Sequence, residues 1–294
     1  MHIRRIYDLY LQLTIRGLEI LGVSTFGQYN IYHRHQHLLN LVRHRNTRTK
    51  DHELLPDGLP IPPPQLIFLV AGGYDKETFY SGGAQGAECI KDILKKNGLD
   101  INKFESILDF GCGCGRILRH WKTLSGPKIF GSDYNPPLVK WCQKSLPFAE
   151  IKQNMPAAKL DYENDKFDFI YVISVFTHLS EKLQDFWIDE LTRVLKPGGY
   201  LLITVHGTTR FHQLWPEARQ EYESGQLVVI KPENSGTNLC ATFHPEAYMR
   251  EWLCQKLTIV DFVPGGAKDA DQDVFLLQKP KKDNRKTARA ERDK

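Results

Sequence analysis

Asp109, three glycines at alternate positions (Gly111, Gly113 and Gly115) and Asp133 are the residues of this 294-residue chain whose types and spacing carry chemistry. Apolar Ile107 and Leu108 lead into Asp109-Phe-Gly-Cys-Gly-Cys-Gly-Arg116, the pattern of a buried strand that turns sharply into a helix. Glycine in such a turn lets the backbone approach a ligand, and the start of the following helix offers free N–H groups. A nucleotide-like ligand is the expected occupant. Asp133 lies 22 residues after Gly111. At that separation an acidic side chain closing the next strand accepts hydrogen bonds from both hydroxyls of a ribose, whereas its plainer reading is an aspartate that simply precedes a helix.

The glycine spacing discriminates between ligands. A dinucleotide turn has Gly-x-Gly-x-x-Gly and faces a pyrophosphate; here the glycines stand at i, i+2 and i+4, with Asp109 two residues ahead. A carboxylate beside the turn repels a pyrophosphate and pairs with a cationic amino-acid moiety. S-adenosylmethionine has that ammonium, no phosphates, and a ribose for Asp133.

Residues 105–207 closely resemble the class I S-adenosylmethionine-dependent methyltransferases. The likeness rests on Asp109-Phe-Gly-Cys-Gly-Cys-Gly-Arg116, Gly131-Ser-Asp133, Phe167-Asp-Phe-Ile-Tyr-Val-Ile-Ser-Val-Phe-Thr-His-Leu179 and Glu190-Leu-Thr-Arg-Val-Leu-Lys-Pro-Gly-Gly199. It implies that Asp109, Gly111, Cys112 and Gly113 lie against the methionine part, that Asp133 holds the ribose, and that Tyr134 lies beside the adenine. It also implies backbone contacts from Ser174 and Val175 to the methionine part. Many members place an acidic residue after the third strand to accept the adenine amino group, whereas this chain has Gln153-Asn-Met-Pro156. The Asn154 carbonyl is able to accept that bond and a neighbouring N–H, at Met155, to donate to the ring; an ordinary turn asparagine is the other reading.

On the acceptor side, His178 follows the fourth strand. One reading makes it the base that takes a proton from an acceptor hydroxyl; the other makes it a structural histidine leading a helix. His206 is a second candidate base. Nearly forty residues, from His206 to His244, exceed an ordinary connection and place a cap (208–243) where a substrate pocket is shaped, with His206, Phe243 and His244 bracketing it. Asp271-Gln-Asp273 is able to reach its rim. Upstream, Ala71-Gly-Gly-Tyr-Asp75 and Phe79-Tyr-Ser-Gly-Gly83 read either as a packed loop or as a lid, with Tyr74, Phe79, Tyr80 and Gly82 facing the ligands. The expected substrate contacts are Tyr74, Tyr80, His178 and His244.

The elements needed to position these residues alternate along the chain: helix 84–97, strand 106–110, helix 116–124, strand 128–132, helix 137–145, strands 149–153 and 167–174, helix 182–195 and strand 200–205. Pro197-Gly-Gly199 breaks the last two apart. Within the cap, Phe211–Glu223 reads as helical and Leu227–Ile230 as a short strand, before a turn at Asn234–Thr237. Helix 245–254 and strands 257–263 and 273–277 close the fold. This order calls for an α/β architecture: a doubly wound, mostly parallel seven-stranded sheet, Rossmann-like, ending in an antiparallel hairpin. Residues 1–60 read as a basic helical extension with a Pro-rich linker at Pro60–Pro64, residues 61–280 as the catalytic domain, and 281–294 as a basic disordered tail.

Charge sets further bounds. Eight basic against two acidic side chains in residues 1–50, and eight against three in 279–294, leave the body from 51 to 278 net acidic. An acidic body argues against nucleic acid as substrate and leaves a small-molecule or sugar hydroxyl as the expected acceptor. The basic extension is able to pack on its own domain, a partner or a membrane surface. Six cysteines are sparse, and neither Cys112 with Cys114 nor His33-Arg-His-Gln-His37 brings the further ligands of a metal site. With no apolar run of membrane-spanning length and no signal-like start, the chain reads as cytoplasmic. Two alternatives use the same sheet: a nicotinamide-dependent oxidoreductase, against which the glycine spacing speaks, and a non-catalytic partner subunit.

Overall fold

The computed structural model describes residues 53–281, all within the second of the chain's two compact units, Lys50–Lys294. Most of the expected basic helical extension, the His33–His37 cluster and most of the basic tail lie outside the described residues.

Seven strands form one sheet: β1 (Ser106–Phe110), β2 (Lys128–Asp133), β3 (Ala149–Gln153), β4 (Phe167–Val172), β5 (Leu195–Val205), β8 (Thr258–Ala267) and β9 (Gln272–Gln278). Their order is β3-β2-β1-β4-β5-β9-β8. The first five run parallel, while β9 inserts antiparallel between β5 and β8. The doubly wound, mostly parallel architecture with its antiparallel closing hairpin is therefore as expected. The central β1 is buried along its whole length, as a strand covered on both faces must be.

Alternate β1 residues feed two cores. Leu108 and Phe110 join α4 (Glu181–Val194) through Trp187, Ile188 and Leu191. Ile107 joins α2 (Lys76–Lys96) through Ile90, Ile93 and Leu94, and α3 (Pro136–Ser145) through Val139 and Cys142. Asp109 shares the α2 face with Ile107 by the period-two rule, which puts its carboxyl in a core rather than on a surface.

Several expected boundaries move, each for a local reason. Helix α2 begins at Lys76, eight residues before the expected start, because the Asp75 side chain accepts from Thr78 N at 2.7 Å and caps it. Phe79–Gly83 therefore forms helix, not a loop. Gly83 belongs there for packing: a Cβ would stand 2.0 Å from the Arg116 carbonyl oxygen. The expected helix 116–124 is only a 3-10 turn, Leu118–Trp121. Leu118 and Trp121 are both buried, and a three-residue spacing sets both on one side of a 3-10 turn. Pro197-Gly-Gly199 does not break β5 but kinks it, with Gly198 at φ 81°. The expected helix 245–254 is a single turn, Glu246–Tyr248, running into a π turn, Met249–Leu253.

The segment expected as a linker is docked. Asp57 pairs with the buried Arg119, Leu55 and Ile61 are buried, and α1 (Pro64–Ala71) starts directly after Pro63. Among the described residues no helix is long and apolar enough to cross a membrane.

Candidate active site

The glycine turn and the end of β2 meet at the carboxyl edge of the sheet. Gly111, Gly113 and Gly115 have φ of 80°, 57° and 81°, conformations that side chains disfavour. Four of the turn's N–H groups have partners within the protein. Gly111 and Cys112 both donate to the Ser132 carbonyl at 2.7 and 3.1 Å, Gly115 donates to Cys112 O at 2.9 Å, and Gly113 donates to Asp133 Oδ2 at 2.9 Å. The expected helix start is a turn instead, and these four donors serve the protein itself.

Asp133 is buried and also accepts from Asn135 N at 2.8 Å through Oδ1. A carboxylate has about four acceptor positions; the Gly113, Asn135 and Tyr134 N–H groups take three, which leaves about one for a ribose hydroxyl. Burial pushes its pKa up, while the Asn135, Gly113 and Tyr134 N–H groups pull it back. Beside it, Tyr134 and Met155 expose 42% and 60% of their surfaces, unusual for side chains of their size, and offer apolar faces to a flat base. Asn154 does not present its carboxamide as expected. That group is buried, and its Oδ1 accepts from Ser132 Oγ at 2.9 Å. The Asn154 N–H is spent on the Asp133 carbonyl.

Asp109 lies deeper than expected. Its carboxyl is hydrogen-bonded to Tyr171, whose hydroxyl accepts from Trp121 Nε1 at 2.8 Å. Burial raises its pKa to about 7; the Tyr171 bond and the Arg116 charge oppose this, and the Asp133 charge adds to it. The Cys112 side chain turns inward against Cys142.

Beyond β4 the chain enters a strained corner. Ser174 has φ 58°, and three partners hold it: its N–H donates to Thr204 Oγ1 at 2.8 Å, its Oγ accepts from Gln272 Nε2 at 2.8 Å, and its Oγ lies 3.3 Å from Thr177 Oγ1. Thr204 in turn donates to Gln272 Oε1 at 2.6 Å. Ser174 N–H and the Val175 carbonyl, which accepts from His178 N, are therefore spent inside the protein. Val175 reaches the site with its side chain: a Cβ on Gly111 would stand 2.3 Å from Val175 Cγ2. Likewise a Cβ on Gly113 would stand 2.7 Å from Val70 Cγ2. Two valines thus rest on the two glycines, and Val70, on α1, belongs to no motif that marks it in the sequence.

The cap comprises a 3-10 turn (Thr208–Gln213), α5 (Pro216–Glu223), and the small sheet β6 (Val228–Ile230) and β7 (Ala241–Phe243). Pro216 divides the expected single helix in two because it has no N–H. Leu214, Ala218, Tyr222, Val228 and Phe243 form the cap's own core. His178 and His206 meet beneath it, rings perpendicular with centroids 6.2 Å apart, and His206 packs on Phe243 at 5.2 Å. His178 Nδ1 lies 2.7 Å from the Cys240 carbonyl oxygen. A carbonyl only accepts, so Nδ1 carries the proton and Nε2 the lone pair. Burial lowers the pKa of His178, against the pull of Cys240 O, and burial with the charges of His178, Arg210 and His244 lowers that of His206 further.

The remaining expected substrate contacts have partners within the protein, and His244 N donates to His206 O at 2.7 Å. His244 is 1% exposed, with Nε2 3.1 Å from Gln184 Oε1, and burial drops its pKa to about 3. Tyr74 stacks on Phe68 at 4.7 Å, and Tyr80 lies on α2 against His120 and Arg119. Asp273 ties the cap's root instead of its rim, accepting from Thr208 N and Gly265 N at 2.8 and 2.9 Å.

Taken together, the sheet order, the glycine turn and the buried acid that closes β2 define a Rossmann-like α/β domain. Residues 108–203 match the family model described as a methyltransferase domain. This match is consistent with a class I S-adenosylmethionine-dependent methyltransferase domain, whose cofactor is S-adenosylmethionine. That assignment displaces the nicotinamide reading.

Two curated relatives are similar over this region. The tRNA (carboxymethyluridine(34)-5-O)-methyltransferase of Arabidopsis thaliana is 38% identical over 102 residues, 34% of this chain and 23% of the plant protein. The malonyl-acyl-carrier-protein O-methyltransferase of a Paenibacillus species is 27% identical over 194 residues, 62% of this chain and 66% of the relative. The chain thus spans less than two thirds of either. A solved S-adenosylmethionine-dependent methyltransferase from Methanosarcina mazei superposes with a TM-score of 0.48 and 23% identity, covering 64% of this chain and 97% of that one.

Proposed function

We propose that the chain transfers the methyl group of S-adenosylmethionine to a hydroxyl of a small-molecule or sugar acceptor. S-adenosylmethionine supplies an electrophilic methyl on a sulfonium. Asp133 holds a ribose hydroxyl with its remaining acceptor position, Tyr134 and Met155 flank the base, and Val70 and Val175 exclude water around the glycine turn. His178, neutral because burial keeps its pKa low, presents the Nε2 lone pair and accepts the hydroxyl proton; Cys240 O holds the imidazole in that tautomer. The observation that carries this reading is the His178 Nδ1–Cys240 O contact of 2.7 Å, which turns a histidine beside the methyl-transfer edge into an oriented base.

The first relative named above acts on tRNA by its name, and the second on a protein-bound acyl group. The net acidic body from 51 to 278 supports a small acceptor over a polyanion. The test is incubation of the purified protein with methyl-labelled S-adenosylmethionine and, in parallel, a metabolite extract and bulk tRNA. Label in a small methyl ether identified by mass is the expected outcome. Label confined to tRNA overturns the acceptor class.

A further inference from the structure

The loop leading into β7 joins three parts of the molecule. Gly236 N donates to His178 O at 2.7 Å, and Ser235 Oγ accepts from Ser180 N at 2.6 Å, which anchors the loop to the chain around His178. From there it makes a tight turn, Thr237 to Cys240, closed by Cys240 N donating to Thr237 O at 3.0 Å. Thr237 Oγ1 stiffens the turn, accepting from Leu239 N at 3.3 Å and donating to Asn234 O at 2.8 Å. The last residue of this turn supplies the carbonyl that holds His178 Nδ1. At its tip, the Asn238 side chain donates to Leu69 O at 3.0 Å.

Leu69 lies in the last turn of α1, where carbonyls have no partner inside the helix and accept from outside. The next residue, Val70, is the one that rests on Gly113 of the cofactor turn. A continuous set of contacts therefore runs from Gly113 through Val70 and Leu69 to Asn238, and across one rigid turn to Cys240 O and His178. Nothing else in the loop's tip touches α1 through a side-chain hydrogen bond among the described residues.

We propose that Asn238 is a positioning residue: by latching the Thr237–Cys240 turn to α1, it makes the orientation of the His178 imidazole depend on α1 being seated over the cofactor turn. The acceptor's base is then aligned only when the donor site is covered. This rests on the reading of His178 as the base, but the latch itself is measured without turnover. A tip released from Leu69 carries the Cys240 carbonyl with it, leaving Nδ1–H without its acceptor and the ring free to exchange tautomers.

The test is the nitrogen NMR spectrum of the imidazole side chains in the full chain, with His178 assigned by the signal lost in His178→Gln. The wild-type protein is expected to show one tautomer, Nδ1–H, sharpened by S-adenosylhomocysteine. In Asn238→Ala the ring is expected to exchange between tautomers and its titration midpoint to rise by about half a pH unit or more as water reaches it, with no response to S-adenosylhomocysteine. Asn238→Gln, which retains the donor, is expected to recover part of the wild-type spectrum, separating a lost hydrogen bond from a misfolded loop. An unchanged His178 tautomer and midpoint in Asn238→Ala overturn the latch. A shifted spectrum in Asn238→Ala, with His178→Gln turning over at the wild-type rate, supports the latch and overturns the base instead.

Discussion

The Gly113 N–H points at Asp133 Oδ2 from 2.9 Å, so the glycine turn after β1 and the acid closing β2 are one hydrogen-bonded unit. A backbone donor that a pyrophosphate would have claimed is spent orienting a carboxylate.

Asp133→Ala removes the ribose acceptor and frees Gly113 N. Affinity for S-adenosylhomocysteine, read by calorimetric titration, is expected to fall roughly 10- to 100-fold, the ~1.5–3 kcal/mol of hydrogen bonds to a charged group. Unchanged affinity would remove Asp133 from the site.

Gly111→Ala forces a side chain onto a residue at φ 80° and drives its Cβ to 2.3 Å from Val175 Cγ2. The left-handed strain and the overpacking together are expected to cost roughly 2–5 kcal/mol of unfolding free energy, measured in urea. Val175→Ala in the same chain is expected to recover the overpacking part and leave the backbone part.

Asp57→Ala leaves the Arg119 guanidinium, 1% exposed, without its carboxylate. Breaking such a buried pair costs roughly 3–5 kcal/mol, and the loss should show as a lower urea midpoint and faster proteolysis of residues 53–63. Were 53–63 a free linker, the substitution would leave the midpoint where it is.

Asp109 gives stability a pH dependence of unusual sign for an acid. Its pKa is raised from 3.8 to about 7 in the folded protein, so the fold binds a proton that the unfolded chain releases. The contribution is full below about pH 4 and lost as pH rises through 7, on the order of a few kcal/mol. Asp109→Asn is expected to flatten the difference between denaturation at pH 5 and pH 8. A wild-type protein that gains stability relative to Asp109→Asn across that range contradicts the assignment.

How far the site was legible depended on the kind of contact. Asp133 and the glycines announce themselves because their chemistry is a residue type at a fixed distance from a strand end. Asn154 is ambiguous in the sequence, since its carboxamide is equally able to serve a ligand or Ser132 Oγ, and the fold supplies the second contact. Tyr80 and Phe79 looked like a cover because two glycines follow them; Asp75 capping turned the stretch into helix, and Gly83 proved to be a packing glycine against Arg116. Cys240 and Leu69 act through backbone carbonyls, which every residue has, so their side chains carried no signal.

By itself the sequence determined the strand-to-helix alternation, the antiparallel close and the nature of the donor. Hydrophobic periodicity, glycine conformational freedom and charge are local properties, and each is written within a few residues of where it acts. Only the tertiary structure decided that Asp109 serves Tyr171 in the core, that Val70 and Val175 sit on the glycines, and that His178 is oriented by a carbonyl 62 residues away. Those relationships arise where separate segments pack together at the carboxyl edge of the sheet, and no spacing along the chain encodes which partner a buried polar group will meet.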